Sequence, residues 1–290
     1  MKKTIIYRKD DRFNLEADFY GTAQQNTPVI VYIHGGGLLW GAKEEISEDM
    51  VQLFTNNGYN LFSINYRLAP KTKLPDILED VQDALKWLAS EGVKQFSIDP
   101  KRIAVVGSSA GGFLALSTGT FQSKPRAIVS FYGYGDISDE WAIHPNNFYR
   151  QKDLVSKEMI RNLITDEVIT NASIEDRFLL YLYARQTGEW TQETTGLHPA
   201  TDKESLKRLS PIYNVKEDFP PTLLLHGTAD VDVPYLQSVF MRAALLKENV
   251  KTKLITIPNG EHVFEKDFHN PVVQNALQKV IDFLNVHLSD

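Results

Sequence analysis

The sequence contains no cysteine among its 290 residues. A disulfide scaffold, a thiolate metal site and a cysteine nucleophile are therefore all excluded. Basic residues are also fewer than acidic residues: the 31 lysines and arginines and 37 aspartates and glutamates give a formal net charge of −6. This balance argues against a nucleic-acid-binding protein, which normally carries a basic patch.

Long apolar runs are missing as well. No window reaches the roughly 18 apolar residues that a membrane-spanning helix needs. The opening Met1-Lys2-Lys3 is followed by a segment that is too short and too charged for the hydrophobic region of a signal peptide. We therefore expect a cytoplasmic protein with neither a membrane nor a nucleic acid as partner. The sequence leaves open whether the protein forms a homo-oligomer.

The apolar residues that are present follow strand and helix periods in alternation. Phe13, Leu15, Ala17 and Phe19 alternate with polar residues, which predicts one strand of an N-terminal hairpin. Six short apolar runs are typical of strands buried on both faces, at 28–33, 60–66, 102–106, 126–132, 222–226 and 253–257. Helical periods occur at 44–57, 74–88, 113–120, 235–247 and 272–288. This order predicts a single α/β domain over residues 1–290, with a mostly parallel sheet and helices on both faces.

One segment, residues 135–209, carries no buried-strand pattern. A structureless loop of this length is unusual in a compact domain, so we expect a mainly helical insertion that caps the sheet. The segment is rich in large aromatic residues: Trp141, Phe148, Tyr149, Phe178, Tyr181, Tyr183 and Trp190. These rings could line an apolar binding site, or they could only attach the insertion to the sheet.

The segment Gly107-Ser108-Ser109-Ala110-Gly111 matches the G-x-S-x-G pattern between a predicted strand and a predicted helix. A serine hydroxyl is a weak nucleophile, so it has to be exposed on a sharp turn and held against a base. The small flanking residues allow such a turn. The pattern therefore predicts that Ser109 is a nucleophile.

A second glycine-rich segment, His34-Gly35-Gly36-Gly37, follows another buried strand. Acyl transfer builds an oxyanion that needs preorganised backbone donors, and glycines let the backbone approach the substrate closely. We interpret the segment as an oxyanion loop in which His34 is a structural anchor and not the catalytic base.

Asp230 and His262 each lie just beyond a predicted strand, at the edge where open α/β sheets place their sites. The chain order serine, aspartate, histidine is that of α/β-hydrolases. We predict a triad of Ser109, Asp230 and His262. Asp232 is the alternative acid, and His226 and His269 are the alternative bases.

Taken together, these motifs resemble those of the hormone-sensitive-lipase-like esterases and related small α/β-hydrolase carboxylesterases. Asn65-Tyr66-Arg67-Leu68-Ala69-Pro70 also resembles the segment that follows the oxyanion loop in that family. The resemblance implies that Gly36, Gly37 and Ala110 donate the oxyanion hydrogen bonds and that Asp230 is the acid. The chain departs from the family at Ser108, where aspartate is usual, and in having too short a segment before His34 for an N-terminal cap.

The function expected from the sequence is hydrolysis of small carboxylic esters through an acyl-enzyme. The partner would be a small-molecule ester, and we expect no cofactor and no metal site. Two alternatives remain open: an amidase or peptidase that uses the same triad, and a non-catalytic binding protein built on a hydrolase scaffold.

Overall fold

The computed structural model describes residues 2–22 and 25–289. Its strands are β1 (Lys2–Lys9), β2 (Asn14–Tyr20), β3 (Thr27–Ile33), β4 (Asn60–Ile64), β5 (Ile98–Ser108), β6 (Ala127–Phe131), β7 (Thr222–Gly227) and β8 (Thr252–Ile257). They form one eight-stranded sheet in the order β1-β2-β4-β3-β5-β6-β7-β8. The predicted hairpin is present as the antiparallel pair β1 and β2, and β2 joins β4 antiparallel. All other neighbouring strands are parallel, which confirms the predicted fold class.

The two faces of the sheet pack against different parts of the chain. Along β3, Val29, Val31 and Ile33 belong to one apolar cluster, whereas Ile30 and Tyr32 belong to the other. Side chains alternate between faces along a strand, so a strand covered on both sides is apolar at every position. This is why the parallel strands appear in the sequence as continuous apolar runs.

The helices that cover the sheet are α1 (Glu48–Asn56), α2 (Leu74–Trp87), α3 (Val93–Phe96), α4 (Ala110–Thr118), α10 (Leu236–Lys247) and α11 (Pro271–Leu288). Helices α5 to α9 belong to the cap and are described below. A π-helical stretch, Leu88–Gly92, joins α2 to α3. The predicted helix at 44–57 begins only at Glu48, because Ser47 caps it by accepting a hydrogen bond from the Met50 N–H. Helix α4 begins three residues before the predicted start, directly after Ser109. None of the described helices combines the length and hydropathy that a membrane span requires.

The insertion at 135–209 is mainly helical, as predicted. It contains α5 (Glu140–Ile143), α6 (Lys157–Ile160), α7 (Ile174–Thr187), α8 (Trp190–Thr195) and α9 (Lys203–Leu209), with short 3₁₀ turns at Tyr149–Gln151 and Arg161–Leu163. An isolated antiparallel bridge joins Ala172 of the cap to Gly41, in the segment after β3. The cap therefore lies over the carboxyl ends of the parallel strands.

Candidate active site

Ser109 occupies a strained turn between β5 and α4. Its φ of 56° and ψ of −120° are rare for a residue with a side chain, and such backbone strain is concentrated at functional sites. The turn is tight enough that a Cβ on Gly107 would lie 2.1 Å from the carbonyl oxygen of Gly111. Glycine is therefore required at position 107 of the motif, and the serine hydroxyl is presented at the start of a helix.

The structure brings the three predicted triad residues into contact. Nε2 of His262 lies 3.0 Å from Oγ of Ser109, and Nδ1 of His262 lies 2.7 Å from Oδ2 of Asp230. The three residues follow β5, β7 and β8 at one edge of the sheet. The arrangement places the imidazole where it can take a proton from the serine while the carboxylate orients the ring.

The side chain of Asp230 is fully buried and is held as a carboxylate. Its Oδ1 accepts hydrogen bonds from the N–H groups of Asp232 and Val233, each 2.9 Å long. Burial alone would raise the pKa of Asp230, but hydrogen bonds from His226 and His262 outweigh burial and lower the pKa well below its usual range. Asp230 is therefore ionised near neutral pH.

The pKa of His262 is shifted upward, whereas that of Asp230 is shifted downward. Burial lowers the pKa of the imidazole, but the hydrogen bond to Asp230 and the charges of Asp232 and Asp230 outweigh burial and raise the pKa above 6.5. The surrounding carboxylates thus stabilise the protonated ring, which is the form that a general base reaches after accepting a proton.

The predicted oxyanion loop, His34 to Gly37, lies against the strained turn at Ser109. A Cβ on Gly35 would lie 3.3 Å from Cβ of Ser109, and Gly36 and Gly37 both have positive φ, at 92° and 58°. Within the described residues, the N–H groups of Gly36 and Gly37 donate to no other protein group. The N–H of Ala110 is the first of α4, so it has no acceptor within the helix. These three donors are free to bind an anion.

His34 is fully buried at the base of this loop. Its ring stacks on Tyr66 with centroids 4.3 Å apart, and the Tyr66 hydroxyl donates to the carbonyl oxygens of His34 and Gly35. Burial lowers the pKa of His34 to about 4, so the ring is neutral near pH 7. These contacts are those expected of an anchor for the loop.

The rival residues have other positions. An acid that orients the imidazole has to contact Nδ1 of His262. Asp232 does not do so, because its Oδ2 lies 3.7 Å from Nε2, the nitrogen that faces Ser109. His226 is fully buried, with Nδ1 2.7 Å from Oγ of Ser238 and Nε2 3.3 Å from Oδ2 of Asp230. It positions the carboxylate and does not reach Ser109. His269 is exposed beyond the 3₁₀ turn Phe264–Lys266.

Two further residues at the site, Tyr132 and Glu265, match no motif of the sequence. The Tyr132 ring lies against His262, with centroids 4.5 Å apart, and its hydroxyl donates to Oε1 of Glu265. Glu265 is 6% exposed, and burial raises its pKa. Its position three residues after His262 is visible in the sequence, but its partner Tyr132 comes from the end of β6. Only the folded chain shows that they form a pair behind the imidazole.

A cleft of about 480 Å³ opens over Ser109 and His262. Three of the seven cap aromatics line it, namely Tyr149, Phe178 and Tyr181. Trp190 is instead buried, with the partly buried Trp141 packed against it, and the Trp190 Nε1–H donates to the carbonyl of Gly37 over 3.0 Å. Some of the cap aromatics therefore lie at the cleft and others attach the cap to the rest of the chain. No cluster of three or more potential metal ligands occurs among residues 2–22 and 25–289.

The family model BD-FAE matches residues 18–245, which is most of the chain. The chain belongs to the BD-FAE family. This membership and the fold confirm the resemblance to α/β-hydrolase esterases that the motifs indicated.

Solved structures similar to this BD-FAE protein cover nearly all of it. A protein of unknown function from Staphylococcus aureus is 29% identical, with a TM-score of 0.80 and 100% of both chains covered. An α/β-hydrolase superfamily protein from Enterococcus faecalis is 25% identical, with a TM-score of 0.78 and 99% of both chains covered. A thermophilic esterase from Thermogutta terrifontis, at 21% identity and a TM-score of 0.70, shares the fold over 98% of this chain and 92% of its own.

Curated relatives are much longer proteins. Non-reducing polyketide synthases from Penicillium roqueforti and Aspergillus terreus are each 26% identical over 99% of this chain. The chain spans only 14% of the length of these relatives. The similarity therefore concerns one segment of each of these synthases.

Proposed function

We propose that the protein hydrolyses small carboxylic esters through an acyl-enzyme on Ser109. The observation that carries the proposal is the continuous hydrogen-bonded chain from Oγ of Ser109 through His262 to Asp230, with contacts of 3.0 and 2.7 Å. A serine held in this way by a base that is itself oriented by a carboxylate is the arrangement of an activated nucleophile.

The residues divide the reaction between them. Oγ of Ser109 attacks the ester carbonyl carbon while Nε2 of His262 takes the hydroxyl proton. The carbonyl oxygen becomes an oxyanion that the N–H groups of Gly36, Gly37 and Ala110 bind. His262 then returns the proton to the leaving alcohol oxygen, which leaves the acyl group on Ser109. A water molecule then attacks the acyl carbon while His262 takes one of its protons, and His262 returns that proton to Oγ of Ser109 as the acyl–oxygen bond breaks and the carboxylic acid leaves.

The size of the substrate and its chemistry have separate support. A cleft of about 480 Å³ holds a small molecule, so we infer a small ester and not a polymer chain threaded through the site. The Thermogutta terrifontis esterase and an acetyl ester-xyloside bifunctional hydrolase from Caldicellulosiruptor lactoaceticus share the fold, which is compatible with ester chemistry on this scaffold.

A fluorophosphonate probe tests the proposal, because it reacts only with an activated serine. The native protein should be labelled on Ser109 and should hydrolyse p-nitrophenyl acetate. Ser109→Ala should abolish both signals, whereas the matched variant Ser108→Ala, which removes a hydroxyl 3.2 Å from the Tyr32 hydroxyl, should keep the labelling. If Ser108→Ala lost labelling and Ser109→Ala kept it, the nucleophile would be misassigned.

The same experiment separates the two alternative functions. An amidase or peptidase would be labelled on Ser109 and would also cleave matched anilides, which an esterase should leave essentially intact. A non-catalytic binding protein would be neither labelled nor active, although its circular dichroism spectrum would show the native fold.

A further inference from the structure

Asp232 places a second carboxylate beside the reacting groups. Its Oδ2 lies 3.7 Å from Nε2 of His262, the nitrogen that faces Ser109, and its side chain remains 16% exposed. Its Oδ1 accepts a hydrogen bond from the hydroxyl of Tyr181 in the cap. Asp232 acts on His262 only through its charge and does not orient the ring at Nδ1, and it lines the cleft, so a ligand there can also reach this carboxylate.

Four aromatic rings line the cleft together with Asp232. Tyr181 packs edge-to-face with Trp40, with ring centroids 5.1 Å apart, and with Tyr149, with centroids 5.5 Å apart. Phe178 packs edge-to-face with Trp40 at 6.1 Å. All four rings line the same cleft as Ser109. A carboxylate bordered by several aromatic rings is the chemical setting that organic cations prefer.

The charges that line the cleft are mostly negative. Glu45, Asp232 and Glu265 are acidic, and Lys266 is the one lysine or arginine among the described residues that line it. Arg185 is 1% exposed and does not line the cleft: its guanidinium lies 5.9 and 5.7 Å from the ring centroids of Tyr149 and Tyr181, and its Nη2–H donates to the backbone carbonyl of Asp232. A cationic group beside Asp232 would therefore be favoured and an anionic group there disfavoured, whereas the oxyanion forms at the separate N–H donors of the glycine-rich loop.

We propose that Asp232 and the rings of Trp40, Tyr149, Phe178 and Tyr181 form a subsite for a positively charged organic group. The preferred substrates are then esters whose alcohol part carries an ammonium group. The alcohol part is specified because Asp232 lies next to Nε2 of His262, the atom that returns the proton to the leaving oxygen. This inference rests on the proposed ester hydrolysis and adds the class of substrate to it.

Two acetate esters of the same shape provide the test. In acetylcholine the alcohol carries a quaternary nitrogen, and in 3,3-dimethylbutyl acetate a carbon replaces that nitrogen. We expect kcat/KM for the cationic ester to exceed that for the neutral ester by about tenfold or more at low ionic strength. The ratio should fall in about 1 M salt, where the screening length is only about 3 Å.

Substitutions in the proposed subsite test which residues cause the preference for the cationic ester. Asp232→Asn keeps the shape of the side chain and should bring the ratio close to one. Phe178→Leu, which keeps every charge, should lower the ratio by a few-fold and serves if Asp232→Asn folds poorly. Glu217→Gln is the matched control, because it removes one exposed carboxylate that does not line the cleft and should leave the ratio as in the native protein.

The outcomes separate this inference from the function it depends on. A native protein that hydrolyses both esters equally well, or a ratio that neither wall variant changes, would overturn the cation subsite and leave ester hydrolysis standing. Faster hydrolysis of 2-hydroxyethyl acetate than of acetylcholine would also overturn it, in favour of a subsite for neutral hydroxyl groups. No hydrolysis of any ester, with no labelling of Ser109, would remove the proposed function itself.

Discussion

The sheet edge and the cap contribute to one cleft in different ways. At the sheet edge, Ser109, Asp230 and His262 each follow a strand within a few residues, and backbone geometry and hydrogen bonds fix each position. In the cap, the rings that reach the cleft come from a 3₁₀ turn and from α7, more than twenty residues apart along the chain. Reactive groups are thus set by local turns of the chain, whereas the wall around them is set by packing between distant segments.

The two aspartates after β7 show this difference most clearly. Asp230→Asn should lower kcat by about 10⁴-fold, because an amide cannot hold the imidazole in the required tautomer or stabilise its cation. Asp232→Asn should lower kcat for a neutral ester by less than about tenfold, since Asp232 does not contact Nδ1. Steady-state kinetics of both variants on p-nitrophenyl acetate measure the difference. The reverse order would assign the orienting role to Asp232.

Trp190 tests whether the cap also supports the oxyanion loop. Trp190→Phe removes the donor to the carbonyl of Gly37 and leaves a buried acceptor unpaired. We expect a fall in kcat of about tenfold, equivalent to about 1.4 kcal/mol, with little change in KM. Trp141→Phe is the control, because its Nε1–H donates to the carbonyl of Asp136 and not to the loop. Equal effects of the two variants on kcat would mean that Trp190 acts only on general stability.

The smallest expected effect is on the pH dependence of kcat/KM, which reports the protonation of His262. Because the pKa of His262 is raised and catalysis needs the neutral ring, kcat/KM should rise with pH through a midpoint above 6.5. The negative charge of Asp232 contributes to this raised pKa, so Asp232→Asn should move the midpoint to lower pH. A native midpoint below 6.5 would show that burial dominates over the carboxylates.

Much of the fold and of the candidate site could be predicted because the relevant signals are local. Continuous apolar runs identified the parallel strands, since a strand covered on both faces must be apolar at every position. Gly107 to Gly111 and His34 to Gly37 identified the tight turns, since few residues other than glycine tolerate such close backbone approach or positive φ. The helix bounds were less accurate, because capping by Ser47 and the turn at Ser109 decide where α1 and α4 begin.

The remaining features depend on pairs of residues that are remote along the chain. Tyr132 directly follows β6 and Glu265 lies in the turn after His262, and Trp190 reaches Gly37 across 153 positions. Composition showed that the cap is aromatic but could not divide its rings between lining and interior. The α/β order of strands and helices and the positions of the reactive turns follow from the amino-acid order, because burial period and backbone sterics act locally. Only the tertiary structure decided that Asp232 contacts His262 at Nε2, and which of the cap rings face the cleft. These features depend on side-chain packing between distant segments, which leaves no local pattern in the sequence.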